Sequence, residues 1–294
     1  MSGGLISNDG KRILIDRAYN VVPTRTAPQK FKVGTGTSTP TVTQTGLDHP
    51  IPISGTLLVD SCDVTTGWTD SADMTVSVNT TTFKEGIASL DLTKDGTGSA
   101  NASTDKTTTS RDLTSKELSL WLYIIDATML SKLAVTACVT IRFGSDSSNY
   151  YQWTKDRSFF SVGWNLIDGL TSATATVTGS PAIAACDYTF VQITAGAAGT
   201  VWVAGDMAMD DIKVVGSTNY LKSFEATYPS MDYNLLQVTI RSRLSTVEAN
   251  GYLIGEFGQF NTDGTPLMES RDTFTPLSKS DTDELIFETK TLIG

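Results

Sequence analysis

The amino-acid composition of the chain changes abruptly near residue 56 and changes back near residue 217. Eight of the nine prolines lie outside residues 56–216, whereas all five tryptophans and all three cysteines lie inside. The middle segment carries ten basic residues against sixteen Asp and two Glu, so it accounts for −8 of the net charge of −10. A composition that shifts and later reverts is typical of a domain inserted into a surface loop of another domain. We therefore expect residues 1–55 and 217–294 to form one split β domain around residues 56–216.

Short runs of β-forming residues fill the middle segment and are separated by breaks of Gly, Ser, Thr and Asp. Residues 126–132 give the one possible helical turn, and residues 94–115 suggest a long exposed loop or a β-edge. Many short strands at regular spacing predict an all-β, two-sheet jelly-roll β-sandwich. The predicted strands lie near residues 57–59, 74–79, 87–93, 117–125, 135–143, 149–154, 158–167, 188–195, 200–204 and 208–215.

The two flanks predict a small antiparallel β domain. Residues 12–16 are a short strand candidate, and residues 235–244 alternate apolar and polar side chains as a half-buried strand does. Residues 250–290 contain three apolar runs, with Asp263-Gly264 between the first two. Aspartate-glycine between two β-forming runs is a strong hairpin signal, because these residues accept positive φ in a tight turn. This stretch therefore predicts a three-stranded antiparallel meander.

The charge and hydropathy of the chain exclude several classes of partner. The chain has 22 basic and 32 acidic residues and no basic cluster, so neither nucleic acid nor an anionic membrane is an expected partner. No apolar run reaches the roughly 18 residues of a membrane span, and the first residues lack the apolar core of a signal peptide. The cysteines, Cys62, Cys138 and Cys186, are odd in number and far apart. We expect three buried, reduced thiols in a protein made in the cytoplasm.

Catalytic groups are sparse. His49 is the single histidine and precedes a proline in an extended loop, so the middle segment has no histidine of its own for a catalytic triad. Its aspartates leave a carboxylate pair for glycoside hydrolysis open, but nothing marks one of them as an acid. The sequence therefore predicts a protein that is not an enzyme.

Four stretches of the middle segment resemble carbohydrate-binding modules of the jelly-roll type: Asp60 to Trp68, Phe83 to Leu90, Ser119 to Ile124, and Met209 to Val214. In that superfamily a structural calcium is commonly held near the start of the domain, the Glu-Gly turn and the final Asp-Asp strand. The resemblance therefore implies calcium ligands at Asp60, Glu85 and Asp211. Calcium takes six to eight oxygen ligands, so backbone carbonyls would complete the shell. Ordinary solvated carboxylates are the alternative.

The aromatic residues of the segment Asn149-Tyr150-Tyr151-Gln152-Trp153 are candidates for glycan recognition. An exposed aromatic ring offers a sugar an apolar face with a polar rim. Alternation along a strand sends Tyr151 to one face and both Tyr150 and Gln152 to the other. We expect Tyr150, Tyr151 or Trp153 to contact a ligand, with packing in the core as the alternative.

The flanks contain a series of short motifs: Val33 to Thr37, Pro40, Thr45 to Leu47, Glu248 to Gly251, Gly255 to Phe260, Asp263-Gly264 and Phe274 to Lys279. In this order the motifs are similar to a β-module of bacteriophage tail and baseplate proteins, including the attachment ends of some tail fibres. Where that family usually has a leucine, this chain has Gln259. The resemblance implies a structural protein of the virion, bound to other virion proteins as a homo-oligomer in a symmetric assembly, and displaying the middle domain toward host-surface glycans. The alternatives are a capsid decoration or head-fibre protein and a free carbohydrate-binding protein.

Overall fold

The computed structural model describes residues 5–53, 55–96, 98–235, 237–250, 252–280 and 282–292. The protein is all-β, as its sequence predicts, with two α-helices, three short 3-10 helices and twenty strands in the described residues. Contacts divide it into two compact units. The flank unit comprises Met1–Gly55 and Ser217–Gly294, and the middle unit comprises Thr56–Gly216. No helix of the described chain has the length and apolar character that a membrane crossing requires.

The first flank contains strand β1 (Leu5–Ile6), helix α1 (Asn8–Tyr19) and strand β2 (Lys30–Gly34). The strand predicted at residues 12–16 is wrong, because these residues lie inside α1. The hydroxyl of Ser7 caps the helix by accepting a hydrogen bond from the backbone N–H of Gly10. The helix buries Ile13 and leaves Leu14 and Ile15 exposed, so the apolar run that suggested a strand has only one core residue.

The middle unit contains twelve strands, one α-helix and two short 3-10 helices in its described residues. The strands and the α-helix are β3 (Leu57–Asp60), β4 (Thr69–Asp70), β5 (Met74–Asn79), β6 (Ser89–Lys94), β7 (Asn101–Arg111), β8 (Lys116–Ile124), α2 (Ala127–Lys132), β9 (Val139–Asp146), β10 (Asn149–Lys155), β11 (Gly163–Thr171), β12 (Thr176–Thr178), β13 (Cys186–Thr194) and β14 (Met207–Gly216).

Two antiparallel sheets pack face to face in this unit. The front sheet has the strand order β12-β10-β9-β13-β7-β4. The back sheet has the order β11-β8-β14-β6-β5, and β3 also pairs with β14. Alternate residues of both sheets meet in one core, for example Leu120 and Leu122 from β8 with Ile141 from β9 and Val191 from β13. The unit is therefore a β-sandwich, and the second face of each sheet is turned away from the core.

The three cysteines, Cys62, Cys138 and Cys186, are buried and unpaired, as the sequence analysis predicts. Burial raises the pKa of Cys138 and of Cys186 to about 11, and it raises the pKa of Cys62 as well. The thiols therefore stay protonated near neutral pH and pack as small apolar groups.

The second flank contains six strands: β15 (Lys222–Ser223), β16 (Ser230–Asp232), β17 (Gln237–Leu244), β18 (Leu253–Phe260), β19 (Met268–Ser278) and β20 (Leu285–Leu292). One sheet has the order β1-β19-β18-β2-β15, so both flanks contribute strands to it. In this sheet Val33 of β2 pairs with Phe257 of β18. The other sheet has the order β16-β17-β20.

The meander predicted for residues 250–290 is correct only for its first two strands. β18 and β19 form an antiparallel pair on either side of the Asp263-Gly264 turn. β20 instead pairs along its length with β17. β1 occupies the second edge of β19 at Ser270 and Arg271, so part of the edge that a third meander strand would use is already paired.

A buried carboxylate holds the loop that follows β2 against this sheet. Glu256 is fully buried and accepts hydrogen bonds from the backbone N–H groups of Gly36, Asp48 and His49. The guanidinium of Arg271 lies 2.7 Å from the same carboxylate. A Cβ atom on Gly36 would lie 2.7 Å from Cδ of Glu256, so glycine is needed for the backbone to come this close.

Candidate functional site

The front sheet of the middle unit carries a continuous row of side chains on the face turned away from the core. Directly paired residues of neighbouring antiparallel strands have side chains on the same face of a sheet. Val191 of β13 points into the core, so its neighbour Phe190 lies on the outward face. The row that contains Phe190 crosses all six strands through Thr176, Gln152, Arg142, Phe190, Asp105 and Thr69.

Arg142 is at the centre of this row and is held by its neighbours. Its Cζ atom lies 4.4 Å from the ring centre of Phe190 and 4.5 Å from that of Tyr150. Its Nε–H donates a hydrogen bond of 2.8 Å to Oε1 of Gln152. Two rings and one amide therefore fix the guanidinium, which loses little conformational freedom when it binds a ligand.

The next row on the same face has two tyrosines on either side of a glycine. Gly144 pairs with Tyr150 on β10 and with Tyr188 on β13. The pairing is irregular between Asn149 and Tyr150, and a Cβ atom on Gly144 would lie 2.5 Å from Cα of Tyr150. Glycine is therefore required here. Because it has no side chain, there is a gap on this face between Tyr150 and Tyr188.

Polar side chains complete the face. On the other side of the Arg142 row, Gln192 of β13 pairs with Thr140 on β9 and with Ser103 on β7. Burial raises the pKa of Tyr188, and the nearby Asp105 carboxylate raises it further. Burial also raises the pKa of Asp105, with a contribution from Asp70. The face thus combines aromatic rings, a guanidinium, a carboxyl group, amides and hydroxyls within a few strands.

Only one of the three predicted ligand-binding residues lies on this face. Tyr150 is part of it and contacts Arg142. Tyr151 and Trp153 belong to the core, where the indole N–H of Trp153 donates to the carbonyl of Thr171 at 3.0 Å. Tyr188 and Phe190 have the same low exposure as Tyr151, 8%, but they lie on the outward face and outside this core. The surface role predicted for Tyr151 and Trp153 does not fit this placement, because strand alternation turns both side chains inward.

Arg142, Phe190 and Tyr188 are not among the residues predicted from the sequence to contact a ligand. The alternation of β13 places Tyr188, Phe190 and Gln192 on one face, and this signal was available in the sequence. The approach of Arg142 to Phe190 was not available, because it depends on the register between β9 and β13.

A second aromatic surface lies on the outward face of the back sheet. The rings of Tyr123 and Trp164 are 5.3 Å apart. The ammonium of Lys84 lies 4.5 Å from the ring centre of Trp121, which is 7% exposed.

The predicted calcium ligands lie among lysine side chains. Asp60 forms an ion pair of 2.6 Å with Lys106. Glu85 and Asp211 both contact Lys213, at 2.7 Å and 2.5 Å. The structure therefore brings Glu85 and Asp211 together around an ammonium group, and Asp60 pairs with a different lysine. Within the described part of the chain, no group of three or more His, Cys, Asp or Glu side chains is arranged to hold a metal ion.

Asp210 contributes a buried carboxylate to this cluster, and one of its two oxygens is unpaired among the described residues. It is fully buried, and its Oδ2 accepts hydrogen bonds from the backbone N–H groups of Lys84 and Glu85 at 2.6 Å and 3.0 Å. Its Oδ1 has no hydrogen-bond partner among the described residues. Burial raises the pKa of Asp210 to about 7 and, with the charge of Glu85, that of Asp211 to about 7. A cation at Oδ1 would supply the missing partner.

The backbone explains why both aspartates reach this region. Strand alternation predicts opposite faces for Asp210 and Asp211. Asp211 has a positive φ of 51°, and the pairing of β14 with β8 shifts between Asp210 and Lys213. This bulge interrupts the alternation.

No protein-family model and no curated protein matches this chain. Solved structures with a similar fold include the family 11 carbohydrate-binding module from Clostridium thermocellum in complex with a β-1,3-1,4-mixed-linked tetrasaccharide. It is 12% identical, covers 55% of this chain and 96% of its own, and has a TM-score of 0.39. The CBM22-1 xylan-binding domain of Paenibacillus barcinonensis Xyn10C is 12% identical, covers 56% of this chain and 96% of its own, and has a TM-score of 0.32.

Proposed function

We propose that the middle unit binds a glycan on the outward face of its front sheet. The observation that carries the proposal is the row through Gln152, Arg142, Phe190 and Asp105, in which hydrogen-bonding side chains lie on both sides of an aromatic ring. A sugar has an apolar C–H face and a rim of hydroxyl groups, so a protein site for it needs these two kinds of surface next to each other.

The chemistry of each position supports this assignment. Arg142 donates hydrogen bonds, the Asp105 carboxyl accepts them, and Gln152 and Gln192 do both. Tyr150 and Tyr188 present phenol rings on either side of the gap at Gly144. Because these side chains are on paired strands and not on loops, their spacing is fixed before a ligand arrives, which lowers the entropy cost of binding.

The binding test is a glycan array probed with the full chain and with two variants. Tyr150→Ala removes a ring from the proposed face, and we expect it to weaken binding about tenfold or more. Tyr123→Ala is the matched control, because it removes a partly buried tyrosine from the back sheet. Loss of binding in the control with retention in Tyr150→Ala would place the site on the back sheet. Failure of the full chain to bind any glycan would overturn the proposed function.

A docking role for the flank unit in a phage virion remains a proposal that rests mainly on the motif resemblance. Exposed apolar side chains also support it: Leu14, Ile15 and Tyr19 of α1 are 48%, 61% and 85% exposed. Apolar groups on one helix are what a neighbouring subunit would cover. A free carbohydrate-binding protein is the alternative. Mass spectrometry of purified particles separates the two, because only a virion protein would be present in stoichiometric amounts.

A structural calcium ion likewise remains a proposal, and Asp210 is a better ligand for it than Asp211. Its buried Oδ1 lacks a partner among the described residues, whereas Asp211 is already paired with Lys213. Calcium would supply a positive charge in a cluster where carboxylates outnumber lysines.

A further inference from the structure

The charged ends of several buried or partly buried cations of the middle unit contact oxygen atoms of the protein. Lys106 and Lys213 pair with carboxylates. Arg157 donates through Nη1 to the carbonyls of Ser131 and Leu133. Arg142 uses Nε for Gln152, and neither Nη1 nor Nη2 has a hydrogen-bond acceptor or an ion-pair partner among the described residues.

Resting on the proposed glycan-binding function, we propose that this face selects an acidic glycan, whose carboxylate binds Nη1 and Nη2 of Arg142. A guanidinium and a carboxylate match in geometry, because two parallel N–H groups meet two oxygens. The rings of Tyr150 and Phe190 hold the guanidinium on two sides, so its free edge is presented to the ligand already oriented.

The charge around Arg142 narrows the ligand class further. The middle unit carries ten basic residues against eighteen acidic ones. Asp105 is on the same row two strands away, about 10 Å at the usual strand spacing. A densely charged polyanion would place several negative groups near Asp105 and the other acidic side chains of the unit, which would repel it. A glycan with isolated carboxylates would satisfy Arg142 and leave its hydroxyls for Asp105 and the amides.

The test compares acidic oligosaccharides with their own methyl esters, which keep the sugar skeleton and remove the charge. Sialyllactose and a hyaluronan tetrasaccharide, whose carboxylates are not on adjacent sugars, serve as probes, and the full chain is titrated with each by calorimetry. We expect at least one acid to bind about ten- to a hundredfold more tightly than its ester, the range for a charge-assisted bidentate pair. That preference should decrease as salt is raised.

Two variants of Arg142 and one matched control locate the preference. Arg142→Gln should abolish the preference for the acid, and Arg142→Lys should retain only part of it, because a lysine keeps the charge and loses the planar pair of donors. Lys155→Gln removes the same charge from β10 at a position whose ammonium lies over Phe159, so it should leave the preference unchanged. Melting curves confirm that each variant is folded.

The outcomes separate this inference from the proposed function. Equal affinity for acids and esters, or an unchanged preference in both folded Arg142 variants, would overturn the acidic-glycan assignment and leave glycan binding intact. Loss of the preference in Lys155→Gln as well would attribute it to net charge and overturn the assignment to Arg142. Failure to bind every acidic and neutral glycan would overturn both.

Discussion

Replacing Glu256 with Gln tests how strongly one buried carboxylate stabilises the flank unit. Glu256 accepts from the backbone N–H groups of Gly36, Asp48 and His49, and it faces the guanidinium of Arg271. A glutamine keeps one acceptor oxygen and turns the other position into a donor. Each carboxylate oxygen accepts from two of these donor groups, so at least two donors lose their acceptor and face the NH₂ group of the glutamine amide instead.

The expected loss follows from the burial of the pair. The side chains of Glu256 and Arg271 are 0% and 1% exposed. Removing one partner of such a pair costs about 3–5 kcal/mol, because the other charge stays buried. Asp48 still contacts Arg271 at 2.8 Å, so we expect the lower end, about 3 kcal/mol. At a typical urea dependence for a small domain, the unfolding midpoint should fall by about 1–3 M.

The distribution of tryptophan makes the assay selective. All five tryptophans lie between residues 56 and 216, so tryptophan fluorescence follows the middle unit while far-ultraviolet circular dichroism follows both units. We expect Glu256→Gln to split the dichroism transition and to leave the fluorescence midpoint in place.

Glu225→Gln is the matched control in the same unit. Glu225 pairs with Arg241 at 3.4 Å, and the two side chains are 26% and 35% exposed. A partly exposed pair is worth about 0–1 kcal/mol. Equal shifts for Glu225→Gln and Glu256→Gln, or a shift below about 1 kcal/mol for Glu256→Gln, would show that burial of the Glu256–Arg271 pair does not set its contribution to stability.

Three further predictions follow from single residues. Burial raises the pKa of Glu269 from 4.5 to about 7; its stabilising contribution is therefore complete below pH 4.5 and lost as pH rises through 7. The free energy of unfolding should therefore fall by about 3 kcal/mol between pH 4.5 and pH 8, and this fall should be absent in Glu269→Gln. Urea midpoints at both pH values measure the change, and an equal change in the two proteins would contradict the prediction. Gly144→Ala should weaken glycan binding at least tenfold in titrations, because its Cβ would lie 2.5 Å from Cα of Tyr150 and displace that residue; unchanged affinity would remove the role given to the gap. Calcium should raise the melting temperature of the unchanged protein and have no effect on Asp210→Asn, whereas a midpoint insensitive to both calcium and chelator would remove the predicted ion.

Strands with strong local signals could be predicted closely from the sequence. The run predicted at 117–125 is β8, Lys116–Ile124, and the run predicted at 149–154 is β10, Asn149–Lys155. Both have apolar or aromatic residues at alternate positions, so local preference and burial favour the same state.

The predictions of other elements were wrong or incomplete, because tertiary contacts determine the structure of those residues. Residues 101–111, expected within an exposed loop or β-edge, form an eleven-residue strand paired with β13 and β4. Its Thr, Ser and Asp residues give a weak strand signal, and the neighbouring strands supply the stabilisation. Residues 12–16 show the reverse error: their apolar run suggested a strand, but the cap at Ser7 starts a helix.

The candidate site is harder to predict than the strands because it requires three independent registers. Alternation indicates that Tyr188 and Phe190 share a face, but not that Phe190 lies opposite Arg142, which is 48 positions earlier in the chain. A shift of one residue between β9 and β13 would turn Arg142 toward the core and leave a buried charge. That penalty, together with the glycine at 144 that accommodates the irregular pairing beside Tyr150, restricts the front sheet to the register that forms the site. The residues that make the face useful for binding therefore also help to specify the strand pairing that creates it.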